Sequence, residues 1–431
     1  MILNITAKNY RSLKNETIFT MIAESSKAKE NNIFIQPLVK DEEGERLLKT
    51  ALIYGANSSG KSNLLRFLYE IVTFICKVKP KVNQTIVAYD SFHFDQDTQN
   101  EPVQFKIDFI GNDKIKYRYE IVFNEKNIIS EELSYWPNNK PKTLFTRVPS
   151  ENDSIIHKIK LGLDDKQKEI DVFHNQSALS KFGEDIPHEI ISNVYIYFSK
   201  LEVVNACVNR KIWNLKNEMK AKMAKNSSLL KKMNELIRFA DTGINNISIK
   251  EIDEKEFNLP EDISEEVKNR FISENKQSIV GHHSLFKNEK EIGDTFIPFD
   301  EESQGVKTMF AIGGKMLEIL ENGGVLFIDE IETSFHPYLS KLLISLFQNE
   351  RINSKNAQLI FTTHDITLLD RTIFRKDQVW FAEKDEFGAT DLFSLRSFTD
   401  VREDTPFDKW YMAGKFGGVP NIKSLESLFV N

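Results

Sequence analysis

The octapeptide Gly55-Ala56-Asn57-Ser58-Ser59-Gly60-Lys61-Ser62 fits the pattern G-x-x-x-x-G-K-[ST] and stands where such a loop must stand. Ahead of it, the apolar run Ala51-Leu52-Ile53-Tyr54 reads as a strand; behind it, Asn63 to Val72 carries apolar residues at helical spacing. Two glycines free the backbone to wrap a phosphate, and successive N–H groups at the start of a helix point at the anion. Lys61 is expected to reach the outer phosphates and the Ser62 hydroxyl to ligate Mg²⁺, with Asn57, Ser58, Ser59 and Asn63 completing the cradle.

The rest of the chain must supply a scaffold for that loop. With 431 residues there is enough chain for two or three domains. A formal net charge of −7 gives no overall field that would gather nucleic acid, although local basic surfaces stay open. Only two cysteines occur, Cys76 and Cys207, which suits a reducing compartment. Both have apolar neighbours and are expected in the core, and there is no zinc spacing. The N-terminus lacks a basic stretch followed by an apolar one, and no apolar run approaches membrane-spanning length, so a cytoplasmic protein with no membrane partner is expected.

In chain order, residues 2–9 alternate as a strand, and Asn9-Tyr10-Arg11-Ser12 begins a turn into a second strand from Thr17 to Ala23. Glu24 to Lys49 reads as a surface loop with a short strand inside it. Val103 to Ile110 and Tyr117 to Phe123 form a hairpin around Gly111-Asn112-Asp113. A single helix is expected around Lys216 to Phe239, apolar at Met219, Met223, Leu230, Met233 and Ile237 and otherwise lysine-rich. It can be read as a plain amphipathic helix, a short coiled-coil-like arm or a basic nucleic-acid contact. His282 and His283 fall in a strand with no third metal ligand nearby. These signals divide the chain into an N-terminal lobe with the phosphate loop (1–136), an inserted α+β region with the basic helix (137–290) and a C-terminal lobe (291–431).

The C-terminal lobe carries the second half of the chemistry. Val325-Leu326-Phe327-Ile328 is a continuous apolar run ending in Asp329-Glu330, the pattern of a buried parallel strand with a site at its C-terminal edge. An acid there is the usual second anchor for Mg²⁺ beside Ser62, so Asp329 is the expected metal residue. A neighbouring carboxylate can orient and deprotonate water, making Glu330 the expected general base and nucleotide hydrolysis the expected reaction. Gln358 to Phe361 forms another strand, which ends at Thr362-Thr363-His364-Asp365.

Taken in order, Asn9-Tyr10-Arg11-Ser12, Gly55 to Ser62, Glu302-Ser303-Gln304-Gly305, Asp329-Glu330 and Thr363-His364-Asp365 resemble the ABC-type ATPases, in particular the SMC-like branch that includes RecF and the OLD-type and RloA-like phage-defence ATPases. The resemblance implies an α/β, ABC-type P-loop NTPase head: a mixed sheet with a parallel core, an antiparallel β subdomain and an inserted α+β or helical region. It implies ATP with Mg²⁺, and a head-to-tail ATP-sandwich dimer in which Ser303 and Gly305 act on the γ-phosphate bound by the other copy. Arg11 is carried over as a nucleotide contact, and His364 as the switch histidine that works with Lys61 and Glu330. Arg402-Glu403-Asp404 and the segment from Trp410 to Pro420 look like the ending of the short RloA-like ATPases of abortive-infection and PARIS-type systems in bacteria. The signature lacks the usual leucine and second glycine, and no glutamine stands out as the bridge from Mg²⁺ to the attacking water.

Because the chain ends soon after the ATPase core, with no room for the nuclease domain of OLD proteins, a nuclease-like effector encoded nearby is the expected partner. The first reading is thus a nucleotide-driven switch in anti-phage defence. A RecF-like repair ATPase, with DNA as a partner, and an ATP-gated scaffold with little hydrolysis are the alternatives.

Overall fold

Strands of two kinds build the fold, one set buried on both faces and one set alternating. The computed structural model describes residues 1–39, 41–138, 140–148, 155–162, 168–240, 242–252, 263–402 and 404–419; Glu403 and Pro420, quoted above, lie outside them. The strands are β1 (Ile2–Lys8), β2 (Thr17–Thr20), β3 (Ile33–Leu38), β4 (Asp41–Leu48), β5 (Thr50–Tyr54), β6 (Val103–Ile110), β7 (Lys116–Phe123), β8 (Ile128–Trp136), β9 (Lys142–Val148) and β10 (Ile156–Leu161). They continue with β11 (Lys168–Phe173), β12 (Glu202–Asn205), β13 (Asn246–Glu251), β14 (Gln277–Lys287), β15 (Lys290–Pro298), β16 (Val325–Asp329), β17 (Gln358–Thr363), β18 (Val379–Lys384) and β19 (Thr390–Ser394). The α-helices are α1 (Lys61–Cys76), α2 (Ala178–Glu184), α3 (Glu189–Ser199), α4 (Asn209–Lys225), α5 (Ser227–Phe239), α6 (Glu265–Asn275), α7 (Gln304–Thr308), α8 (Gly314–Asn322), α9 (Pro337–Gln348) and α10 (Phe407–Met412).

The chain forms two compact units. The first comprises residues 1–203, 324–329 and 347–431; the second comprises 204–323 and 330–346.

In the first unit, β16, β17, β5 and β18 run parallel, and β19 closes one side antiparallel. Every residue of β5, β16 and β17 is buried, as parallel strands covered on both faces require. The order runs β12-β16-β17-β5-β18-β19, and the chain passes to the second unit within β12. A separate eight-stranded sheet, β11-β10-β9-β8-β7-β6-β1-β2, is antiparallel throughout. Its strand β7 buries every second residue, the sign of a sheet with one covered face. The first unit's core includes α1, α2 and α3; Phe67 of α1 stacks on Tyr10 at 4.0 Å and meets Phe105 of β6 edge-on at 5.3 Å. The parallel core, antiparallel sheet and inserted α+β region are the expected architecture of a P-loop NTPase head. The segment expected as a surface loop with one short strand is instead the hairpin β3–β4. Its Ile33 and Leu48 are buried, and their burial gives two strands a reason to pair.

The second unit holds α4 to α8 and the three-stranded sheet β13-β14-β15. The helix expected over Lys216 to Phe239 is two helices. Asn226 adopts extended backbone between them and caps α5 by accepting a hydrogen bond from Leu229 N–H, because asparagine competes with helical hydrogen bonding and suits an N-cap. Of the expected apolar face, Met219, Met223, Met233 and Ile237 are buried, but Leu230 is only half-buried and Leu229 takes the buried position, because the break at Asn226 resets the helical phase. Three of its lysines are tied to acids of the same unit, Lys216 to Asp300, Lys222 to Glu318 and Lys232 to Glu321, which leaves less of the helix pair as a free basic face. His283 pairs with Glu302, and His282 contacts the Ser248 hydroxyl.

Candidate functional site

The parallel strands deliver their C-terminal ends to one edge. Thr363 of β17 is in register with Tyr54 of β5, Thr362 with Ile53, and Phe361 with Ile328 of β16. His364 and Gly55 therefore leave their strands at the same level, and Asp329, one residue past Ile328, is level with Thr362 and Ile53, two residues short of them at the same edge. With strands about 4.8 Å apart and a rise of about 3.3 Å per residue, Gly55 and Asp329 are roughly 12 Å apart. The Tyr54 hydroxyl donates to the His364 carbonyl at 3.0 Å, joining the two inner strand ends. Asp329, 7% exposed, accepts from the Thr362 hydroxyl at 2.7 Å.

Within the loop, Lys61 is the first residue of α1 and is buried; its ammonium donates to the carbonyls of Gly55 at 2.8 Å and Ala56 at 2.9 Å. Ser58 and Gly60 both have positive φ, 64° and 95°. At Gly60 a Cβ would stand 2.1 Å from Thr390 Oγ1 and 2.6 Å from Ser12 Oγ, so glycine is required for both conformation and space. These two hydroxyls clamp the loop from behind. Thr390 donates to the Ser59 carbonyl at 2.7 Å and contacts Ser12 Oγ at 2.6 Å, while Asn63 of α1 donates to Ser12 at 2.5 Å. Asn57 and Ser58 are exposed, and Ser62 and Asn63 half-buried. Ser59 Oγ is buried with no hydrogen-bond partner among the described residues.

Arg11, φ 51°, ion-pairs with Asp90 at 3.3 Å and donates its N–H to the Asp90 carbonyl at 2.7 Å. His364 is exposed at the strand end.

Glu330, Ser303 and Gly305 belong to the second unit. Ser303 is the N-cap of α7, accepting from Val306 N–H at 3.3 Å. A Cβ on Gly305 would come within 3.0 Å of the Ser334 carbonyl, so the signature segment packs against the turn that follows Glu330. Glu330 has a left-handed backbone, φ 56°, and its Oε2 accepts from the Cys207 thiol at 2.6 Å. Cys207 is exposed, not a core residue as its apolar neighbours suggested; Asn205 Oδ1 accepts its N–H and turns it outward at the end of β12.

Sequence reasoning missed Thr362, Thr390 and Cys207. Thr362 had a signal, as the next-to-last residue of a buried strand, beside Thr363-His364. Thr390 and Cys207 had none, since their partners lie 331 and 123 residues away.

Among solved structures the chain is similar to the SMC head domain from Thermotoga maritima, at a TM-score of 0.41 and 11% identity over 91% of this chain and 98% of that one. It is similar as well to the Smc head domain with an extended coiled coil, bound to the C-terminal domain of ScpA, from Pyrococcus furiosus, at a TM-score of 0.41 and 12% identity over 91% and 96%. No curated protein matches. Residues 51–370, well over half the chain and the whole span from β5 past His364, match the family described as "AAA domain, putative AbiEii toxin, Type IV TA system". By that match the chain belongs to this AAA domain family.

Proposed function

We propose that this protein binds ATP and Mg²⁺ at the Gly55–Ser62 loop, hydrolyses the nucleotide with Glu330 as general base, and acts as a nucleotide-driven switch that controls a partner effector in anti-phage defence. The observation that carries the reading is the common sheet edge shared by the loop, Asp329 and His364. The defence role draws on the toxin–antitoxin description of the family. No helix among the described residues is long and apolar enough to cross a membrane, and a cytoplasmic location is part of the proposal.

The residues fit the group they would hold. The orphaned Ser59 hydroxyl and the start of α1 suit phosphate oxygens. Ser62 and Asp329 offer only oxygen donors, which is the preference of Mg²⁺, and among the described residues no cluster of three His, Cys, Asp or Glu competes for a metal. Bound there, Mg²⁺ would neutralise charge on the phosphates. Lys61 would exchange its carbonyl partners for phosphate oxygens, and Thr362 would keep Asp329 oriented. Glu330 would take the proton of the attacking water, while His364 would face the terminal phosphate. Ser303 and Gly305 of a second copy would close over it in a head-to-tail dimer. Binding would thereby convert phosphate contacts into interface energy, and hydrolysis would remove them.

The test compares wild type, Lys61→Ala and Glu330→Gln for ATP affinity, Mg-ATP turnover and mass in solution. Lys61→Ala should lose nucleotide binding. Glu330→Gln should bind ATP, turn over about 100- to 1,000-fold more slowly and accumulate as the dimer. A wild-type protein that binds ATP but shows no turnover, with or without DNA, overturns the hydrolysis reading in favour of a scaffold.

A further inference from the structure

The proposed base has a partner that the reaction does not require. Glu330 leaves the end of β16 in a left-handed conformation that a non-glycine residue holds only under constraint from its surroundings. Its Oε2 accepts from the Cys207 thiol at 2.6 Å, and Thr333 Oγ1 lies 3.4 Å from the same sulfur. Thr333 in turn donates its N–H to the Glu330 carbonyl at 3.1 Å, so one short turn holds the backbone of Glu330 and flanks the sulfur that holds its carboxylate. Asn205 fixes the other side by accepting Cys207 N–H at 3.1 Å.

We propose that Cys207 is a positioning residue for Glu330, its thiol restraining the carboxylate so that the base is held back until the contact opens. The role rests on Glu330 being the base. A carboxylate oxygen that already accepts a hydrogen bond has a lone pair fewer for water. A thiol is a weak donor, so the restraint costs little to release.

Two measurements test it. The first needs no nucleotide. Only two cysteines exist, and burial pushes the Cys76 thiol up to about 12, which leaves Cys207 as the one expected to react with iodoacetamide at neutral pH. Glu330→Gln removes the negative charge that opposes thiolate formation and should speed Cys207 alkylation about 3- to 10-fold, read by mass spectrometry. An unchanged rate overturns the contact. The second is steady-state hydrolysis. Cys207→Ala should raise kcat about 3- to 10-fold with KM unchanged, and Cys207→Ser, which keeps a donor, should return kcat toward wild type. A kcat that is unchanged or lower in Cys207→Ala overturns the restraint. If wild type has no turnover, the role falls with the hydrolysis reading, and the alkylation result separately reports whether the contact exists.

Discussion

The Thr362 hydroxyl donates to Asp329 Oδ1 at 2.7 Å, across the pair of parallel strands whose ends carry the proposed metal acid and the proposed switch histidine. Both side chains are buried, so the bond restrains the orientation of the Asp329 carboxylate. Partners that orient a ligating carboxylate typically alter metal affinity by about 10- to 100-fold when removed. Thr362→Val keeps the shape and removes the donor. It should weaken the Mg²⁺ dependence of ATP turnover by about 10-fold, leave metal-free nucleotide affinity nearly unchanged, and cost about 1–2 kcal/mol of stability. Mg²⁺ titration of turnover with a parallel urea denaturation checks this; equal Mg²⁺ dependence in both proteins defeats it.

Gly60 is the position where the loop tolerates nothing larger. Gly60→Ala puts a methyl against Thr390 Oγ1 at a φ of 95°, so the loop must shift away from its clamp. The ATP-induced rise in Tm, about 2.7 kcal/mol of stabilisation at a hundredfold excess over Kd, should vanish. The far-UV circular dichroism should remain that of wild type. Retention of the ATP-induced rise shows that the clamp is not needed.

Glu131 in β8 is fully buried and accepts from the Tyr119 and Ser177 hydroxyls, from Arg147 Nε and Nη2, and from the N–H groups of Ala178 and Leu179 at the start of α2. Its partner Arg147 is equally buried. Glu131→Gln strands that guanidinium without its counter-charge and should cost about 3–5 kcal/mol, read from chemical denaturation. The loss should be far smaller in Glu131→Gln combined with Arg147→Met. If the double variant is as unstable as the single one, the stranded charge is not the cause.

His157 supplies a pH signature. Burial first, then the positive Arg147 and His174, lower its pKa from 6.5 to about 4, and Arg147 Nη1 donates to its Nδ1, so the folded ring is neutral. As pH falls below 6.5 the unfolded chain gains a proton here that the folded chain refuses until about pH 4. Stability from this group is complete above 6.5 and declines between 6.5 and 4. His157→Gln should flatten the stability–pH curve across that window relative to wild type. Identical slopes for the two proteins rule the assignment out.

The loop and its flanks were readable in the chain because everything they need is local. A strand, two glycines, a lysine and a helix start lie within about twenty residues, and the continuous apolar run before Asp329 marks a strand buried on both faces. The match to the AAA domain family, over residues 51–370, spans both stretches. Two segments were less legible: Asn226 splits the helix expected over Lys216 to Phe239 in two, and within Glu24 to Lys49 the strands Ile33–Leu38 and Asp41–Leu48 pair as a hairpin. Those outcomes depend on which apolar residues find cover, a competition that local propensity does not decide.

The chain alone determined the proposed phosphate loop, the acid pair and their order, since each is a short-range pattern set by backbone conformation and burial period. Tertiary structure decided what each polar group touches. Thr390 behind the loop, Thr362 on Asp329 and Cys207 on Glu330 come from long-range register and from turns that point side chains outward or inward. Hydrogen bonds act over about 3 Å, and a difference of one residue in register moves a side chain to the opposite face of a strand.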